Sequence, residues 1–164
     1  MAAKTIIEWP NREKASSKVA RILVILSLLV SSALIAIVSI RGWDLLQAAK
    51  TAQILFIAVN LIFVIQLLRW SRGVLPMAAG IATFIGIFAL VSVTKWYERD
   101  QPGYKDADLS AQLGALTIGV LIAQVIVIVI AIVAFSQNWQ TEIEHHVGFD
   151  DDEPAPSTGA PATA

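Results

Sequence analysis

The chain has 164 residues, 56% of them hydrophobic and only 15% charged, with 12 basic and 13 acidic side chains and a formal net charge of −1. It contains no cysteine, which removes disulfides, thiolate metal sites, iron–sulfur clusters and cysteine nucleophiles, and with them the chemistry of cysteine-dependent four-helix quinone reductases. Near-neutral charge, with no basic stretch interleaved with aromatics beyond the N-terminal segment, argues against nucleic acid as a partner.

Residues 1–18 carry Lys4, Arg12, Lys14 and Lys18 against Glu8 and Glu13, with Ile6, Ile7 and Trp9 clustered before Pro10. This pattern predicts a cytoplasmic, interfacial segment in which Pro10 or Asn11 begins a short helix running on into the first span. Four runs without a charged residue follow, at 22–40, 51–68, 73–94 and 109–141. A hydrocarbon layer about 30 Å thick is crossed by roughly 20 apolar residues at about 1.5 Å each. The runs therefore predict a transmembrane domain over 19–141 with spans at about 20–41, 50–69, 73–95 and 110–137. The first run is longer than a signal-peptide core and is followed by Arg41 instead of a small-residue cleavage site, so it is expected to be retained.

The segment 69–72, RWSR, is short enough to make spans two and three antiparallel neighbours. Pro76 falls in the first turn of span three, where its missing N–H is tolerated. The connection 95–108 is the longest and most charged, with a turn signal at Pro102-Gly103. Trp43, Trp70, Trp96 and Trp139 each close a run and are expected as interface anchors, with the indole at the headgroup level. Residues 142–164 combine the acidic run Asp150 to Glu153 with a Pro/Ala/Thr/Ser stretch that lacks apolar periodicity, which predicts a disordered cytoplasmic tail.

The fold expected is thus an all-α integral membrane protein, an antiparallel four-helix transmembrane bundle with a disordered acidic C-terminal tail. With the N-terminus inside, Lys4, Arg12, Lys14, Lys18, Arg21, Arg69 and Arg72 lie on the inner side, and Arg41, Lys50, Lys95, Arg99 and Lys105 on the outer side. That bias predicts a multi-pass protein of the plasma (inner) membrane with both termini cytoplasmic. The Ala/Val/Ile-rich composition and Pro/Ala/Thr tail are compatible with a GC-rich bacterium.

No ionisable side chain lies within the four charge-free runs, and those inside the span bounds sit at the span ends. Such groups cost about 2.5–3.5 kcal/mol at a helix centre and usually mark ion or proton pathways. Proton-coupled transport through a membrane carboxylate, as in small multidrug exporters, therefore lacks its main actor. Haem ligation by a histidine pair fails too, because both histidines are in the tail. The polar residues inside the spans are amides and hydroxyls. Gln53 and Asn60 share an arc of span two with Phe56 and Phe63, and Thr117, Gln124 and Ala131 recur every seven residues on span four. Small-residue stripes at Ser32, Ala36 and Ser39, at Ala82 and Gly86, and at Ala115, Gly119 and Ala123 allow close helix approach. Gln53, Asn60, Thr117, Gln124, Gly86 and Gly119 are accordingly the residues expected to pack helices or to line a path.

His145 and His146, with Glu142 and Glu144, have ligand types but no metal-site spacing, so no metal, cofactor or catalytic set is expected. The function predicted is a small non-catalytic accessory, scaffold or assembly subunit of a bacterial membrane complex. Its partners would be the lipid bilayer and a membrane protein or further copies of itself. The alternative is a small homo-oligomeric channel or transporter with an amide- and hydroxyl-lined path.

Overall fold

In the computed structural model, residues 4–46, 49–103 and 106–147 are described, and they are mostly helical. The order is β1 (Lys4–Glu8), α1 (Pro10–Glu13), α2 (Ala15–Arg41), α3 (Ala49–Leu68), α4 (Val74–Glu98), α5 (Ala107–Phe135) and β2 (Ile143–Val147). The four long helices are each long and apolar enough to cross a membrane. At about 1.5 Å per residue, the 27 residues of α2 and 29 of α5 reach about 40 Å, so both exceed the hydrocarbon thickness.

The chain's charge-free runs become helices because nothing in them competes with the backbone ladder. Pro76 falls in the first turn of α4, where no intrahelical donor is lost. Serine and threonine hydroxyls inside the helices return their protons to carbonyls a turn earlier, as Ser32 does to Leu28 at 2.9 Å and Thr117 to Leu113 at 2.7 Å. Buried positions then recur at alternating three and four residues. On α5 they are Ser110, Leu113, Thr117, Val120, Gln124, Val127, Ala131 and Ala134, and on α2 the same rhythm passes through Ser17, Val24, Ser31 and Val38. This seven-residue repeat is the seam of helices packed knobs into holes.

Contacts between helix ends fix the neighbours. Arg72, just before α4, donates to the Phe135 carbonyl at the end of α5, at 3.0 Å from Nε and 2.7 Å from its terminal nitrogen. Arg41, at the end of α2, donates to Gln112 near the start of α5 at 2.9 Å. Ser39 near the end of α2 donates to the Gln53 amide oxygen near the start of α3. The most extensive packing is α4 on α5, then α5 on α2 and α2 on α3, whereas α3 and α4, although consecutive in the chain, touch only sparsely. Their meeting is largely aromatic, with Phe56 on α3 at 6.0 and 6.1 Å from Phe84 and Phe88 on α4.

Large apolar side chains cover the outside of every long helix: Leu26 and Val30 on α2, Leu55 and Ile65 on α3, Ile87 and Leu90 on α4, Ile122 and Ile132 on α5 are all exposed. In water such a surface would drive association, whereas hydrocarbon accepts it at no cost. The chain is a multi-pass membrane protein in contact with the lipid bilayer.

The segments flanking the helices depart from expectation. The helix over 10–13 does not run on into the first span, because Lys14 adopts φ −58°, ψ 132° and breaks it. Residues 4–8, expected as an interfacial lead-in, form β1, which pairs antiparallel with β2 from Lys4 opposite Val147 to Glu8 opposite Ile143. Residues 143–147 were expected to lack structure, and instead their backbone groups are satisfied by β1. The acidic run Asp150 to Glu153 and the rest of the expected tail lie outside the described residues. α4 also continues to Glu98, so Lys95, Trp96 and Tyr97 are helical and the connection to α5 is shorter than the expected 95–108.

Between α3 and α4 the chain turns through a non-glycine residue in the left-handed region, Trp70 at φ 59°. The Ser71 N–H reaches back to the Gln66 carbonyl at 3.1 Å and that of Trp70 to Leu67 at 3.0 Å, the bond pair of a Schellman cap. Glycine is the usual residue there, and a bulky side chain costs about 1–3 kcal/mol in backbone strain. Packing of the indole holds it: the Arg21 guanidinium stands 4.2 Å from the Trp70 ring and Trp139 lies edge-on at 5.8 Å.

Close approach is tightest at Gly114. A Cβ there would stand 3.2 Å from the Tyr97 ring and 3.4 Å from the Trp96 Cβ, whereas one at Gly119 would meet nothing within 4 Å. Tyr97 is exposed and can swing away, but Trp96 is buried and cannot. Gly114→Val is expected to lower stability by about 1–3 kcal/mol through overpacking. Thermal unfolding in detergent, with Gly119→Val as the control for helix propensity, measures it; equal melting temperatures would contradict the packing.

Candidate functional site

Two apolar clusters fill the bundle. The one nearer the start of α2 gathers Val24, Leu28, Leu67, Leu75, Val127 and Trp139 with their neighbours, and the one nearer its end Ile35, Val38, Ile85, Trp96, Leu113 and Val120. Between them lies a polar layer. Ser31 on α2, Asn60 on α3 and Gln124 on α5 are 0%, 2% and 1% exposed. The Gln124 amide donates to the Ser31 hydroxyl oxygen at 2.7 Å, and the Asn60 amide donates to the same oxygen at 3.4 Å. Gln124 also donates to the Val120 carbonyl at 3.4 Å. Helix α4 contributes space instead of a polar group, since a Cβ on Gly86 would already stand 3.6 Å from the Gln124 Cβ.

The structure thus joins Asn60, Gln124 and Gly86 at one level and separates the other expected residues from them. Gln53 pairs with Ser39 nearer the end of α2, and Thr117 spends its hydroxyl proton on its own helix. Gly119 faces open space, so the expected stripe with Ala115 and Ala123 does not pack against another helix here; Ala115 is exposed and only Ala123 is buried. Ser31 carries the layer, yet the sequence pointed to Ser32, Ala36 and Ser39 as the small face of span one. The signal for Ser31 was its seven-residue spacing from Val24 and Val38.

The four tryptophans divide. Trp43 is 44% exposed, with the Lys50 ammonium 4.7 Å from its ring, and Trp70 is half-buried. Trp96 and Trp139, expected as interface anchors as well, are both buried inside the protein. Trp96 turns inward because α4 continues past Thr94 and places it seven residues beyond buried Ala89. Trp139 turns inward because the chain reverses after α5 at Asn138, which adopts φ 47°. The Arg12 side chain then donates to the Trp139 carbonyl at 3.2 Å, and the Asn11 amide to the Asn138 carbonyl at 3.0 Å. These bonds hold Trp139 as a plug under the end of the bundle that carries β1 and β2, its Nε1 without a hydrogen-bond partner among the described residues.

At the end of the bundle where α2 finishes and α5 begins, a cavity of about 240 Å³ opens between α3 and α4, backed by α2 and α5. Gln53, Ser92 and Thr117 lie in its wall and Lys95 and Arg99 at its mouth. The polar layer offers a hydroxyl oxygen that accepts from two amide donors on two other helices, an arrangement that holds three helices together. Among the described residues no three His, Cys, Asp or Glu side chains converge. No protein-family model, curated protein or solved structure matches the chain.

Proposed function

We propose that this chain is a non-catalytic accessory, scaffold or assembly subunit of a bacterial inner-membrane complex, built as an antiparallel four-helix bundle with both ends in the cytoplasm. The observation that carries the reading is the closed interior. Asn60 and Gln124 both donate to the Ser31 hydroxyl, and fully buried Trp139 seals the inner end, which leaves helix faces and polar ends as the working surfaces. Pairing of β1 with β2 supports a common side for the two ends. Arg12, Lys14, Lys18, Arg21, Arg69 and Arg72 flank the helix ends nearest those strands, which supports the cytoplasm as that side. The acidic run Asp150 to Glu153 follows β2 in the sequence and offers a salt-sensitive contact to a basic partner.

The second reading, a homo-oligomeric channel or transporter, draws on Gln53 and Thr117 in the wall of the outer cavity. One experiment separates the two. Purification of the tagged chain from native membranes in mild detergent, followed by mass spectrometry, is expected to return a stoichiometric partner of different sequence, released as salt is raised. Recovery of the chain alone would contradict the accessory reading. Recovery as a homo-oligomer that conducts solutes in liposomes would favour the channel.

A further inference from the structure

We infer that the outer cavity is a binding site for an anionic phospholipid, with one acyl chain between α3 and α4 and the phosphate at Arg99. The cavity is walled by Val38, Phe56, Ile85 and Val120, and Phe88 and Val91 at its side are exposed. It therefore opens sideways into the hydrocarbon, between two consecutive helices that touch only sparsely. An occupant that enters this way comes from the lipid phase. A volume of about 240 Å³ holds about eight groups the size of a water molecule at roughly 30 Å³ each. A methylene is of that size, so the space suits a stretch of acyl chain.

Polarity is arranged for an amphiphile charged at one end. Inside, the Gln53 amide oxygen accepts from Ser39, while Ser92 and Thr117 give their hydroxyl protons to the Phe88 and Leu113 carbonyls. At the mouth, Lys95 is held by Glu98 at 2.8 Å. Arg99 is half-buried, its guanidinium 5.9 Å from the Trp96 ring, and its side chain makes no hydrogen bond or ion pair among the described residues. Five planar donors left unspent at the end of α4, where the apolar run has finished, suit a phosphate at headgroup level. The site lies within one copy of the chain and does not depend on whether that copy serves a complex.

Native mass spectrometry of the full chain, loaded with equal phosphatidylglycerol and phosphatidylcholine of matched acyl chains, tests this. Wild type is expected to retain phosphatidylglycerol preferentially. Arg99→Ala should reduce that preference roughly fivefold, the scale of one basic side chain at an anionic headgroup, and Arg99→Lys should keep part of it. Ser92→Phe, which narrows the cavity, should lower retention of both lipids, and Arg69→Ala should leave the preference unchanged. Equal retention of the two lipids by wild type, undiminished preference in Arg99→Ala, or full retention in Ser92→Phe would each overturn the proposal. So would loss of preference in Arg69→Ala alone, which would move the site to the opposite end.

Discussion

Trp139→Ala is expected to cost the bundle about 3–5 kcal/mol, the range for removing a large buried aromatic. The ring is fully enclosed and meets Ala20, Val24, Leu67 and Leu75 of three helices in one cluster, with Trp70 edge-on against it at 5.8 Å. Its loss leaves a void at that end of the bundle and removes the packing that holds Trp70 in its left-handed turn. Because Nε1 has no hydrogen-bond partner among the described residues, Trp139→Phe should recover most of the stability, losing volume but no bond. Trp43→Ala, at an exposed indole, should change stability by no more than about 0.5 kcal/mol. Denaturation in bicelles followed by circular dichroism gives all three values. Equal effects at Trp43 and Trp139 would show that the second indole does not plug the bundle.

Asn60→Asp should be the most damaging isosteric change. It alters almost no volume, but it puts a carboxylate into a layer where the neighbouring groups are the Ser31 hydroxyl and the Gln124 amide, with no cation on any of the four helices at that level. Insertion scales put the cost at about 2.5–3.5 kcal/mol. Asn60→Leu should cost less, because it gives up one long interhelical hydrogen bond of about 0.6–2 kcal/mol and brings no charge. Unfolding of the two variants in bicelles at neutral pH ranks them. An Asn60→Leu variant less stable than Asn60→Asp would mean that the layer is held by the amide bond and not by the exclusion of charge.

The four spans were legible because apolar length is a local property, and a charge-free run of 18 or more residues has few other solutions. The interior face of α5 was partly legible for a related reason, since Thr117, Gln124 and Ala131 already marked one line of its seven-residue seam. Gln53 and Asn60 share an arc, yet they have different partners, because helical phase says nothing about which neighbour stands at each level. Trp139 misled through its position at the end of an apolar run. Its burial depends on a chain reversal at Asn138 and on hydrogen bonds from Asn11 and Arg12, more than a hundred residues earlier in the sequence. Strands β1 and β2 were missed for the same reason, since neither segment has the alternation of a half-buried strand and each owes its form to the other.

The register that sets Lys4 opposite Val147 has a consequence in time. During translation β1 leaves the ribosome first and waits without a mate until everything through α5 has followed. A two-stranded ribbon is barely stable by itself in water, so it needs the finished bundle beneath it. A chain with one helix left unthreaded would strand the two segments across a layer about 30 Å thick, too far to zip. Closure of the ribbon is therefore the last event of assembly, and an epitope that opens or hides with it would report whether every helix had been inserted.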